Sequence, residues 1–342
     1  MNAKKKGGRG RLQRWIGALG HLMMLGLCLA IGPSAAQDTT AAPGQPGSDR
    51  SPPLRFFVVG DLPYGPAEVG PLRALLADAA AQRPPFIIHL GDIKGGSTPC
   101  TDANLEEVAA LFSTLAVPVA YTPGDNEWTD CHRAGAGGHD PRVRLARVRE
   151  VFFGDPGVLR LGALGAVHAG GGFPEVYRFL SDGVLFVALH IVGSNNGFSD
   201  RDPGTATEFA ARDAVNQAFL KQALATAKVR DARALVLFLQ ADPLFDRGPG
   251  PPGFHGFKAQ LTDLMDRFPG PVLVLHGDTH VFRHDHPLLD PNRGVPFERL
   301  ARVEVPGSPI VGGVWITVDL QAPEPFTVSA VYAASLDTLG SE

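Results

Sequence analysis

Short, continuous apolar runs recur along the chain, and most of them stop at a polar turn. Residues 54–59 (LRFFVV), 86–90 (FIIHL), 117–122 (VPVAYT), 234–239 (ALVLFL) and 272–275 (VLVL) are too short for helices and too uniformly apolar for half-exposed strands. Such runs predict strands buried on both faces. Between them lie segments of helical character: 66–81, with proline in its first turn, 102–115, capped by Thr101 or Asp102, then 142–153, 206–227 and 257–268. Residues 177–180 and 184–191 flank Ser181-Asp182-Gly183, which predicts a hairpin. Three more strands are expected at 301–305, 314–320 and 326–332. Alternation comes first and strand-on-strand order last, so the sheets are expected to begin parallel and finish antiparallel. The expected class is α/β, with two packed mixed sheets flanked by helices in a single domain over residues 54–335.

Composition adds a boundary at the amino end. The chain has 342 residues, 44% apolar and 19% charged, which is globular rather than disordered. Residues 1–36 hold six cations (Lys4, Lys5, Lys6, Arg9, Arg11, Arg14) and no acid. An apolar stretch follows, then Pro33-Ser34-Ala35-Ala36. Basic start, apolar middle and small-residue exit predict a cleaved export signal over residues 1–36, the competing reading being a retained membrane anchor. Residues 37–53 read as a flexible linker. Without the signal, 31 − 6 = 25 cations face 35 acids. That balance, with no basic stripe, speaks against a nucleic-acid partner. No other run is apolar enough to span a bilayer once the signal is gone, so a periplasmic or secreted protein is expected. Export leaves two cysteines, Cys100 and Cys131. In an oxidising compartment the pair predicts a disulfide; two free thiols or two metal ligands are the alternatives.

The candidate chemistry sits at strand ends. Gly60-Asp61, Gly91-Asp92, Gly124-Asp125 and Gly277-Asp278 all follow apolar strands. Ligands of α/β folds collect beyond the carboxyl ends of strands. Four carboxylates converging there would repel one another, and a divalent cation is the usual remedy. Capping of the next turn by each Asp is the blander reading.

The series Asp61, Gly91-Asp92, Gly124-Asp125-Asn126-Glu127 and Gly277-Asp278-Thr279-His280 resembles the calcineurin-like metallophosphoesterases, over roughly residues 54–332. The resemblance implies a metallophosphoesterase fold. It also implies hydrolysis of a phosphomonoester or phosphodiester, small or exported, by metal-activated water at a dinuclear site. A relative that keeps the fold and only binds metal or a partner is the alternative. The metal ligands carried over are Asp61, Asp92, Asp125, Asp278 and His280, with Gln240 or Asp242 in place of a lone family His. Where the family has further histidines, this chain has Pro63, Asn126 and Asp278, and Tyr64 is a candidate substitute at the first motif. Imidazoles are thus exchanged for oxygen donors, which suits one or two Mn²⁺, Mg²⁺ or Ca²⁺ ions better than Zn²⁺, with iron a further candidate. Asn126 occupies the catalytic His position but cannot act as a general acid, so His132 is a candidate replacement. Lys94 and Arg133 are candidate phosphate-binding cations.

Overall fold

Strands β1 (Leu54–Val59), β2 (Ile87–His89) and β3 (Val119–Tyr121) lie side by side in parallel, as their uniform burial predicts. The computed structural model describes residues 52–199, 203–245, 248 and 250–333; the signal segment and all but the end of the linker expected before residue 54 lie outside these. The other strands are β4 (Val167–His168), β5 (Tyr177–Ser181), β6 (Val184–Ala188), β7 (Ala234–Phe238), β8 (Val272–His276), β9 (Arg283–Asp285), β10 (Leu300–Glu304), β11 (Gly312–Val318) and β12 (Phe326–Tyr332). One sheet has the order β12-β11-β1-β2-β3 and the other β4-β5-β6-β7-β8-β10-β9. Both are mixed, and helices flank them.

The tail departs from the expected order in one respect. β11 and β12 are antiparallel neighbours, but β10 runs parallel to β8. The short polar strand β9 lies antiparallel to β10, and the chain after it returns to the start of the sheet before β10 begins. β9 (RHD) and the exposed, two-residue β4 carry no apolar run and so leave no signal in the pattern.

Strand period two divides the interior. Val184, Phe186 and Ala188 of β6, with Ala234, Val236 and Phe238 of β7, join the core between the sheets. Their alternates Leu185, Val187, Leu235 and Leu237 pack under helices Pro203–Val229 and His255–Arg267. Phe56, Phe86, Phe179 and Phe186 meet between the sheets with ring centroids 4.9–5.3 Å apart. Each fully buried ring contributes on the order of 2–3 kcal/mol through its removal from water. Thr101 caps helix Asp102–Thr114 by accepting from the Asn104 amide, and Asp140 caps helix Pro141–Phe153 through the Arg142 amide. Among the described residues, no helix is long and apolar enough to cross a membrane.

Candidate active site

Because β1, β2 and β3 are parallel neighbours, their carboxyl ends deliver Asp61, Asp92 and Asp125 to one crevice. Asp61 and Asp92 take left-handed backbone angles (φ 54° and 53°), which a short polar side chain tolerates. Asp92 is central: its Oδ1 accepts from the Asn126 amide at 3.0 Å, and its Oδ2 accepts from the Tyr64 hydroxyl and from Gln240 Nε2, both at 3.1 Å. Only glycine fits at position 124, since a Cβ there would stand 2.0 Å from Asp92 Oδ1.

The second sheet closes the ring. After β8, the Asp278 amide donates to Asp61 Oδ1 at 3.0 Å, and His280 Nε2 lies 3.7 Å from the same oxygen. After β7, Gln240 Oε1 accepts from the Gly193 amide at 2.7 Å, which aims its Nε2 at Asp92. After β6, Gly193 sits between Asp125 and Asp278: a Cβ there would be 2.6 Å from one Oδ1 and 2.8 Å from the other. His280 Nδ1 faces the Ser308 carbonyl at 2.6 Å, which fixes the proton on that nitrogen and turns the Nε2 lone pair toward the ring. The Tyr64 hydroxyl stands in the middle, 3.0 Å from His280 Nε2 and 2.9 Å from Asn126 Nδ2, which donates to it.

These acids are buried together with little cationic compensation. Burial first, then the charges of Asp125, Glu127 and Asp61, holds the Asp92 carboxyl well above the usual range. Asp61 is raised by burial too, against the lowering effect of the Asp278 amide bond, with the charges of Asp278, Glu304 and Asp125 adding to the rise. Burial and the Asp125 charge push Asp278 up to about 7, and burial raises Asp125 despite the Ser194 hydrogen bond. Burial and the negative charges of Asp92 and Asp61 push the Tyr64 phenol far above its ordinary value. Asp61 Oδ2 is buried with no hydrogen-bond partner. A hard divalent ion matches this donor set and would relieve that oxygen. The ring is not a finished ligand shell: among the described residues, no three His, Cys, Asp or Glu side chains stand ready to hold a metal ion. Protein donors from Tyr64, Gln240 and Ser194 instead satisfy several of its oxygens.

Of the residues singled out in the sequence, Asp61, Asp92, Asp125, Asn126, Gln240, Asp278 and His280 come together. Asp242 does not. Its carboxylate accepts from the Leu244 amide and faces Arg283 at 3.4 Å and Arg302 at 3.8 Å, so only its backbone amide, on Asp278 Oδ2, touches the ring. His132 is exposed and turned to the Thr129 carbonyl at 2.6 Å, so it lines the cavity beside the ring and does not join the ring itself, while Cys131 is buried. Lys94 is buried rather than surface-exposed: burial lowers its ammonium pKa while Glu127, Asp130 and Asp92 raise it, so it serves as their counter-charge. Arg133 lies 2.6 Å from Asp130 Oδ2. Cys100 and Cys131 are bonded, their Cα atoms 5.7 Å apart. Gly193 and Ser194 join the ring without belonging to the motif series, although a polar turn after the apolar run 184–191 carries the same signal as the Gly-Asp turns.

A cavity of about 560 Å³ opens beside the ring, lined by Trp128, Arg133, Arg142, Ser194, Phe198 and Glu208 among others. Comparison with known proteins agrees with this architecture. The calcineurin-like phosphoesterase family model matches residues 54–282. No curated protein matches the chain in sequence. A solved dimetal phosphatase from Danio rerio superposes with a TM-score of 0.51 at 11% identity, over 83% of this chain and 100% of that one. A solved structure of PhoD gives 0.52 at 13% identity, over 85% and 71%. At such identities the likeness is one of fold.

Proposed function

This chain belongs to the calcineurin-like phosphoesterase family, and we propose that it is an exported hydrolase that cleaves a phosphate ester at the acid ring with one or two divalent ions. The observation that carries this reading is Asp61: fully buried, one oxygen unpartnered, and crowded by Asp92, Asp125 and Asp278. A proton or a cation must offset such a group, and family membership makes the cation the reading of choice. Asp61, Asp92, Asp125, Asp278 and His280 would hold the metal, while Gln240, in place of the family's lone His, turns its Nε2 to Asp92 and keeps its oxygen on the Gly193 amide. A bound ion supplies a Lewis acid for the phosphoryl oxygens and an activated water.

The protein's own groups do the rest. His280 offers Nε2 because Ser308 holds its other nitrogen. Tyr64 keeps its proton between Asp92 and His280. Asn126 donates to Tyr64 and so orients it, but carries no acidic proton. The neighbouring cavity is large enough to seat the organic part of a small phosphoester. Oxygen dominance favours Mn²⁺, Mg²⁺ or Ca²⁺ over Zn²⁺.

A second reading has its own support. Asp92 already accepts three hydrogen bonds, which suits a relative that binds without turnover. Assaying chelator-treated protein on p-nitrophenyl phosphate and its bis ester, with and without added Mn²⁺, separates the two. Metal-stimulated hydrolysis is expected; metal uptake with no hydrolysis of either ester supports the binding relative instead. Export rests on residues 1–36, and N-terminal sequencing of secreted protein is expected to begin near Gln37.

A further inference from the structure

Three consecutive non-glycine residues after β6 take left-handed backbone angles: Ser194 (φ 52°), Asn195 (59°) and Asn196 (55°). Left-handed backbone angles of this kind are unfavourable for L-amino acids other than glycine. Asparagine tolerates the conformation and serine less so. No core packing calls for it at Ser194, which is exposed. Strain of this sort persists where surrounding structure over-determines it, most often at functional sites.

The over-determination is explicit. Asn196 Oδ1 accepts from the Val192 amide and from Arg212 Nη1, and its Nδ2 donates to the Gly253 carbonyl. Asn195 Oδ1 accepts from the Gly253 amide. The fully buried Arg212 also donates to the carbonyls of His190 and Asn196. What the turn holds in place is the ring. Ser194 Oγ donates to Asp125 Oδ2 at 2.8 Å, while Asp125 Oδ1 faces Asp278 Oδ1 across Gly193. The Gly193 amide fixes the Gln240 side chain, and Gln240 in turn bonds Asp92.

We infer that the left-handed turn at residues 194–196 is the positioning device of the metal site, with Ser194 setting which Asp125 oxygen faces the ion and Arg212 clamping the turn. The inference rests on the proposed function and assigns a role to residues outside the motif series. Outer hydrogen-bond partners of metal ligands typically govern about 10- to 100-fold in affinity.

Calorimetry of Mn²⁺ binding to chelator-treated full-length protein tests it, with the metal-free melting temperature measured alongside. Ser194→Ala is expected to weaken Mn²⁺ binding by about 10-fold or more while leaving the metal-free melting temperature within about 2 °C of wild type, since the residue is exposed and its side chain is shown making one hydrogen bond, to Asp125. Arg212→Lys, which cannot grip three acceptors in fork geometry, is expected to weaken binding as well. Ser194→Ala binding as tightly as wild type overturns the inference and leaves the proposed function standing. A loss of affinity matched by a large fall in metal-free melting temperature overturns it in favour of a purely structural role. Wild-type protein that takes up no Mn²⁺ overturns both.

Discussion

The two sheets supply unlike halves to one ring of acids. In the half built by β1, β2 and β3, the carboxylates sit on consecutive parallel strands, pressed against glycine backbone and against each other. A disulfide between Cys100 and Cys131 links the loops that follow the second and third of these strands. In the half built by β6, β7 and β8, ring residues come from three turns that neighbouring networks hold. Arg212 grips the turn after β6. Glu304 accepts from Thr279 in the turn after β8 and pairs with Arg283 at 2.8 Å. The first half is rigid by close packing and the second by hydrogen bonding. The positions where the family has histidines fall in both halves: Pro63 and Asn126 in the first, Gln240 and Asp278 in the second.

The largest effect is expected from the packed half. Asp92→Asn keeps the shape but turns one oxygen that now accepts into a donor, so turnover of a generic phosphoester is expected to fall by about 100-fold or more with the circular dichroism spectrum unchanged. Turnover within a few-fold of wild type would remove Asp92 from the centre of the ring. Gly193→Ala probes the seam between the halves. Its Cβ would meet Asp125 Oδ1 at 2.6 Å and Asp278 Oδ1 at 2.8 Å. Those two acids are then forced apart, and a stability loss of about 1–3 kcal/mol by urea unfolding should accompany weakened Mn²⁺ binding.

The brace of the first half is expected to matter for stability before chemistry. Closing a loop with sequence separation 31 contributes about 3–4 kcal/mol in the chain-entropy picture. Cys100→Ser with Cys131→Ser should therefore lower the urea midpoint markedly, and peptide mapping of the wild type under non-reducing conditions should recover the bonded pair. Two free thiols in exported protein would contradict the brace.

Acidity sharpens the comparison further. Asp278 titrates near 7 when folded, against an ordinary aspartate value of 3.8, so between these values the folded metal-free state holds a proton that the unfolded state has released. Its contribution to stability is present below about 4 and is lost as pH rises through about 7. The melting temperature of chelator-treated protein should thus fall from about pH 5 to about pH 8, and saturating Mn²⁺ should flatten that fall by taking the proton's place. A pH-independent difference between the two melts would rule out proton–metal exchange. The smallest effect belongs to His132→Ala: bonded to the Thr129 carbonyl on the cavity wall and outside the ring, it should change kcat by less than about threefold.

What the sequence makes legible follows the same division. A glycine and an aspartate after an apolar run are local, so all four Gly-Asp turns and the strands carrying them can be read directly. Choosing between Gln240 and Asp242 needs the direction of the strand end: Asp242 swings to Arg283 and Arg302, which lie 41 and 60 residues away in sequence. The Ser194–Asp125 bond spans 69 residues and depends on a left-handed turn that no residue type in Gly-Ser-Asn-Asn announces by itself. His132 shows the converse. It is close to Asn126 in sequence, but its imidazole is exposed and bonded to the Thr129 carbonyl, so it lines the cavity and does not join the ring.

The central claim is that one crevice holds a divalent ion between the two sheets. Crystals of the protein soaked in Mn²⁺, measured at a wavelength where manganese scatters anomalously, test it most directly. The account predicts one or two anomalous peaks within about 2–2.6 Å of oxygens from Asp61, Asp92, Asp125 and Asp278, and of His280 Nε2. Saturating Mn²⁺ with no peak in that ring, or with peaks only at surface carboxylates, would contradict it.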